Sequence, residues 1–338
     1  MVPARSASAS IRRIALVTLL GSAAMATWAA PTRYHLQDLG PDSYAWHLNA
    51  SAEASGWSFP KGRPAVWIDG AKTELARFDG FAGWVNDSGA VVGLAPSGAA
   101  YWSEGVLTEL GVVAGWEASQ ATSINNSGDC IARALVAAGW RSFLLPGCTG
   151  ANPVDLGSFG GTVFAAALND GGQVAGTAAT RQDIKVRDHA FLYTDGQLKD
   201  LGVLRGFVES KARDLNAQAH VVGSLQNREQ HETAFFWDGE KMNSLGRFGG
   251  HESAAYAVND SDVVVGTYQT ANFKWHPFIF DKGTPGARMK DLTKMLDESG
   301  DHWKITIAVD INDAGQILVQ GHVGHDSTVH SAVLTPID

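Results

Sequence analysis

The chain alternates short apolar runs with polar, glycine-rich turns, and the same alternation returns seven times. Each return reads Ala-x-x-(Leu/Val/Ile)-Asn, then a tight turn, then a run rich in aliphatic residues. The asparagines are Asn49, Asn86, Asn125, Asn169, Asn216, Asn259 and Asn312, spaced 37, 39, 44, 47, 43 and 53 residues apart. A period in this range marks a repeat architecture. Within one repeat the pattern predicts four short strands. The first ends at the asparagine, as in FAAALN (164–169), and Asp170-Gly171-Gly172 turns the chain into the second, QVAG (173–176). The third, HAFLY (189–193), ends on a large apolar residue in every repeat, and Asp195-Gly196 is a type I′ hairpin dipeptide. The fourth ends in one leucine per repeat: Leu39, Leu75, Leu110, Leu156, Leu201, Leu245 and Leu292.

Short β-branched and aromatic runs between turn signals indicate an all-β chain. Four strands in every repeat of about 44 residues fit the blade of a β-propeller. The ends of the pattern predict how the ring closes. YHLQDLG (34–40) is a fourth strand with no third strand before it, and HSAVL (330–334) is a third strand with no fourth after it. Residues 31–338 therefore read as a single seven-bladed β-propeller closed by the N-terminal strand.

The segments HAFLYTDGQLKDLG (189–202), DLGSFGG (155–161), ALNDGGQVAG (167–176) and AVNDSDVVVG (257–266) carry a resemblance. They resemble the HAF family of bacterial extracellular repeat proteins. The resemblance covers 34–338, is strongest in blades 4 to 6 and departs in blade 7, where LTKMLDESGDHWK (292–304) replaces the glycine-pair link. It implies an exported repeat protein with no assigned catalytic site.

Residues 1–30 read differently. Arg5, Arg12 and Arg13 precede the apolar run Ile14–Leu20, and Ala24-Met25-Ala26 or Thr27-Trp28-Ala29 supplies a small-x-small cleavage pattern. This is the pattern of a secretory signal peptide, with a lone membrane anchor as the alternative. Without this segment the chain carries 23 basic and 35 acidic residues, a net charge of −12. That balance opposes nucleic acid as a partner, since phosphate binding needs concentrated positive charge. The expected state is a periplasmic or secreted monomer with no further membrane segment and no cofactor.

Export permits a disulfide between the chain's two cysteines, Cys130 and Cys148. A hairpin centred on Gly139 would set them opposite each other; two separate buried thiols are the alternative. No Gly-x-Ser-x-Gly elbow, His-Glu-x-x-His or phosphate loop is present. His189, His276 and His330 recur at the start of the third strand, too far from the axis to share a metal, and are expected to bond loop backbone. The asparagines read as turn formers bonding backbone two residues on. The acids before the fourth-strand leucine, such as Asp38, Asp200 and Asp291, read as partners in a periodic bond within each blade.

Candidate binding residues fall in two places. On the inner strand of blade 5, VESKARDLN (208–216), Glu209, Lys211 and Arg213 alternate onto one face near the axis. They would line the channel or form inter-blade ion pairs with Asp310, Asp214 or Glu252. The second place is the face carrying the second-to-third loops and the blade links, where loops vary: TAATRQDIKVRD (177–188), SLQNREQHE (224–232) and TYQTANFKW (267–275). Variable loops on a rigid scaffold are where recognition usually sits. Arg205, Phe207, Arg247, His251, Trp116 and Phe81 on that face are candidates for the protein or glycan ligand of a non-catalytic binding scaffold, and the aromatics among them would equally serve to seal blades together; the alternatives are a cell-envelope structural protein, or a hydrolase or lyase with its site in the central channel.

Overall fold

The computed structural model describes residues 31–75, 78, 82–110, 113–182 and 185–337; the proposed signal segment and Phe81 lie outside them. Seven four-stranded antiparallel sheets surround one axis. In six of them the strands follow chain order from the inside outward. Blade 5, for example, runs from an inner strand Glu209–Leu215 through Val221–Gln226 and Glu232–Trp237 to an outer strand Met242–Gly246.

The seventh sheet contains Trp303–Ile311, Ile317–Val323 and His330–Ile337, and its outer strand is the N-terminal Arg33–Pro41. Leu36 pairs with Leu334 and Asp38 with Ala332. The ring therefore closes as the end pattern predicts. The segment 292–304 has a structural part in this closure. It forms two 3₁₀ turns and lies along the N-terminal strand, where Ser299 Oγ accepts the Leu36 N–H at 2.7 Å and the Tyr34 carbonyl accepts the Asp297 N–H at 3.0 Å. An outer strand is an edge open to pairing with other chains, and this insertion covers it.

The hydrophobic cores lie between blades. Val222, Ala234 and Phe236 of blade 5 pack with Val258, Val264, Tyr268 and Phe278 of blade 6, all buried. The recurring alanine has a packing reason. Ala45, Ala82, Ala165, Ala212 and Ala255 each stand opposite a second-strand glycine: Gly56, Gly93, Gly176, Gly223 and Gly266. Just past each pair the inner strand carries an extra residue, a β-bulge. A Cβ on Gly223 would collide with the Lys211 carbonyl oxygen, so the tight approach needs glycine.

The asparagines do more than form turns. Each Nδ2 donates to the backbone carbonyl of the next repeat's asparagine at 3.0 to 3.2 Å, and Asn312 returns to the Asn49 carbonyl. Seven bonds thus form a closed ring around the axis. The matching Oδ1 accepts the N–H of the residue four positions on, as from Gln173 to Asn169 at 2.9 Å, rather than only two on as expected. The recurring acids bond as predicted, but their partners are the histidines. His189 Nδ1 lies 3.0 Å from Asp200, His276 Nδ1 3.4 Å from Asp291 and His330 Nδ1 3.0 Å from Asp38. Arg141 makes the same bond to Asp155 in blade 3. The histidines therefore join third to outer strand instead of bonding loop backbone.

Cys130 and Cys148 form a disulfide with Cα atoms 4.9 Å apart. The expected register was wrong: Cys130 sits opposite Leu145, and the hairpin closes with Val136 opposite Gly139. A 3₁₀ turn at Pro146–Cys148 then brings Cys148 back to its partner. The predicted loops are also more regular than expected. Strands Val174–Gln182 and Lys185–Thr194 pair through most of 177–188, and the other two segments close through short turns at Asn227–His231 and Thr270–Lys274.

Candidate functional site

The inner strands run from the long-loop face to the asparagine ring, and their side chains divide the axis into two cavities. The one at the ring end, about 190 Å³, is lined by the seven asparagines and by the residues that follow them. Those residues include Asp87, Asp170, Asp260 and Asp313, and they extend the stitching. Ala50 N–H donates to Asp87, Asp87 N–H to Asn126, Asn126 N–H to Asp170, Ala217 N–H to Asp260, and Asp260 N–H to Asp313. Burial pushes the Asp313 carboxyl above its ordinary range, and the neighbouring Asp260, Asp87 and Asp170 add to this. This end of the axis is negative and internally bonded.

The second cavity is larger, about 480 Å³, and is built mainly from residues two to five positions before the asparagines, so it occupies the long-loop half of the axis. Its lining is cationic and aromatic. Lys211 and Arg213 come from blade 5, Arg133 from the second strand of blade 3, and Trp46, Trp84, Phe164 and Tyr256 from other inner strands. The bulges place part of this set: Trp46, Thr122, Arg213 and Tyr256 are the extra residues in their blades. The Arg133 guanidinium lies 4.3 Å from the Phe164 ring centroid and 5.0 Å from that of Trp140, and Arg213 lies 4.5 Å from that of Tyr256. Cations over ring faces gain quadrupole attraction without being neutralised.

Ion pairing in this cavity is sparse. Arg213 reaches Glu232 at 3.7 Å. Among the described residues Lys211 and Arg133 have no carboxylate within bridging distance, and Nε of both Arg133 and Arg213 is buried without a hydrogen-bond partner. Burial lowers the Arg133 pKa from its ordinary value.

Trp84, Asp214 and Asp310 line both cavities and stand between them. Trp84 stacks on His47 at 4.2 Å. Asp214 accepts the Val258 N–H at 2.9 Å, and Asp310 accepts the Leu48 N–H at 2.8 Å, each from the following blade. Burial, then the charge of Asp310, pushes the Asp214 carboxyl well above the usual carboxylate range. These two acids continue the inter-blade stitching.

The sequence-predicted residues separate accordingly. Lys211 and Arg213 meet in the channel; Glu209 does not join them. It pairs with Arg187 of blade 4 at 3.4 Å, and the bulge at Arg213 interrupts simple alternation. The expected pairing with Asp310, Asp214 or Glu252 is replaced by Arg187 and Glu232. Trp116 packs on Phe143 at 4.8 Å, and Phe207 packs on the core between blades 4 and 5. Arg247 donates to Thr233 Oγ1 at 2.8 Å. Arg205 is exposed, and His251 lies between His231 at 4.9 Å and Phe273 at 6.0 Å. Arg133, Trp46, Trp84, Phe164 and Tyr256 were not anticipated. For Trp46, Phe164 and Tyr256 the signal lies in the repeat itself: the third and fifth positions before the asparagine vary from blade to blade, while the alanine between them does not.

No family model matches the chain, and no curated protein matches it. Solved structures do. The extracellular domain of a one-component system from B. thetaiotaomicron aligns at 8% identity and TM-score 0.54, over 90% of this chain and 40% of that one. A prolyl endopeptidase aligns at 9% and 0.52, over 86% and 46%. The acylaminoacyl peptidase of Pyrococcus horikoshii aligns at 12% and 0.50, over 85% and 51%. This chain therefore spans 40 to 51% of their length, and the likeness is one of fold.

Proposed function

We propose that this protein is an exported, non-catalytic scaffold that binds a protein or glycan through its long-loop face. The observation that carries the reading is the contrast between the two ends of the axis. One holds a smaller cavity of about 190 Å³ bordered by tight turns, acids and a ring of asparagine bonds; the other holds a cavity of about 480 Å³ with cationic and aromatic walls. The same face exposes Phe248, Phe273 and Trp275, with Phe273 66% exposed. Exposed apolar groups gathered on one side of a soluble domain mark interaction surfaces. The Cys130–Cys148 bond supports a periplasmic or secreted location, where disulfides persist. The HAF-like repeats fit the same setting.

Capture from cell-envelope extract and from a glycan panel tests this. Replacing Arg205, His251 and Phe273 with alanine should reduce capture, whereas Gln197→Ala and Glu240→Ala on the opposite turns should not. If the turn-face variants lose the ligand and the loop-face variants keep it, the assignment is wrong.

A further inference from the structure

The axial cavity carries a more specific conclusion, one that rests on the scaffold reading and deepens it. Three cations, Arg133, Lys211 and Arg213, converge there on a protein whose overall charge is negative. Arg213 already has Glu232 at 3.7 Å, and Asp214 and Asp310 line the inner end of the cavity, but Lys211 and Arg133 are partly buried with no carboxylate within bridging distance among the described residues, which is costly unless something pairs with them. Their arrangement is also directional. The acids Asp87, Asp170, Asp260 and Asp313 stand at the far end of the axis, beyond Trp84. An anion is drawn in from the long-loop side and repelled from the other.

The walls say what kind of anion. Trp46, Trp84, Phe164 and Tyr256 surround the cations with ring surface, which suits a flat body with C–H groups on its faces. A volume of about 480 Å³ lies within the range of small-molecule sites, so one or two sugar rings would occupy it. A peptide C-terminus is the other common carboxylate. It is usually held by backbone N–H groups, and the N–H groups next to the shared acids are already occupied: Val258 by Asp214 and Leu48 by Asp310. Recognition therefore falls to side-chain cations and ring faces.

We propose that the cavity binds a uronic acid unit of an acidic glycan, its carboxylate toward Lys211, Arg213 and Arg133 and its pyranose ring against the aromatic walls. Arg133 and Arg213 both line the cavity, and a guanidinium fork matches a carboxylate.

The test is titration of the full exported protein with a galacturonate trisaccharide, read by calorimetry and by tryptophan fluorescence. The comparison ligands are its methyl ester, a tripeptide with a free C-terminus, and inorganic phosphate. The acid should bind saturably, the ester about tenfold or more weaker, and Lys211→Met should weaken the acid by a similar factor, as expected for one lost charge-assisted bond. Lys211→Arg should restore it. Gln197→Ala on the opposite turns should leave binding unchanged. Should Lys211→Met fold poorly, the acid–ester comparison on the wild type decides alone. Equal binding of acid and ester, no saturable binding of the acid, or binding of the tripeptide or phosphate in its place would overturn the assignment. If the uronate fails while envelope capture still depends on the loop face, the cavity proposal falls and the scaffold reading stands; if both fail, both fall.

Discussion

Replacing Asn312 with aspartate separates two roles that alanine would remove together. The asparagine Oδ1 accepts the Gln316 N–H at 2.9 Å and holds the turn; Nδ2 donates to the Asn49 carbonyl at 3.0 Å and closes the ring, and also to Gln316 Oε1 at 2.9 Å. Aspartate keeps the acceptor. It loses both donations and places a carboxylate oxygen against a carbonyl oxygen at a 7% exposed site. A lost hydrogen bond costs about 0.5–1.5 kcal/mol net, and a buried acceptor left without a donor about 1–3 kcal/mol. The sum here is roughly 2–4 kcal/mol. For large domains about 2 °C of melting temperature accompanies each kcal/mol, so the variant should melt roughly 4–8 °C lower at pH 8. At acid pH the protonated carboxyl donates again and the loss should shrink. Thermal melting followed by circular dichroism at pH 4 and pH 8 measures both effects. A pure turn former would tolerate aspartate, which suits such turns as well as asparagine does. Wild-type melting of Asn312→Asp at pH 8 would therefore refute the ring's contribution.

Three other outcomes follow from the same geometry. Asp214 has a raised folded pKa, so its contribution to stability is full below the unfolded value near 3.9 and falls as pH rises from there toward the folded pKa. Asp214→Asn should gain on the wild type in melting temperature between pH 4 and pH 8, and a constant gap would contradict the assignment. Deleting residues 32–40 removes the buried Tyr34 and Leu36 and exposes the His330–Ile337 edge, so the protein should aggregate or melt well below wild type; an unchanged melting curve would refute closure. Gly223→Ala forces a Cβ onto the Lys211 carbonyl and should cost about 1–3 kcal/mol, whereas Thr122→Ala, whose hydroxyl has no partner, should stay within about 0.5 kcal/mol. Equal melting of these two variants would remove the packing argument.

The fold was legible because its determinants repeat. Alanine and asparagine recur four residues apart, and the turn glycines and the outer-strand leucine follow them in the same order, so that the asparagine and the leucine mark where the inner and outer strands end. Seven blades and their closure at YHLQDLG follow from that count. The site was harder to read for a physical reason. A channel residue is defined by variation against a constant frame, and Trp46, Arg213 and Tyr256 look unrelated until the bulge aligns them three positions before their asparagines. Arg133 is harder still, since it enters from a second strand. Lys211 and Arg213 stood out only because charge is unusual on an inner strand. The cysteine register failed because a 3₁₀ turn after the hairpin has no periodic signature.

The division of labour along the axis follows from where the constant and variable positions lie. The constant asparagine acts at the ring end: its side chain donates sideways, its carbonyl accepts, and in four blades an acid after it accepts the N–H of the preceding repeat. Those bonds fix each inner strand to its neighbour without using any side chain three or five positions earlier. The bulge, held in five blades by an alanine facing a glycine, then presents one extra residue per blade into the channel. That residue can be tryptophan, threonine, arginine or tyrosine with the stitching intact. Stitching at one end thus frees the other to take whatever chemistry a ligand demands, and under the proposal made above the cations and rings gathered there select for an acidic, ring-bodied one.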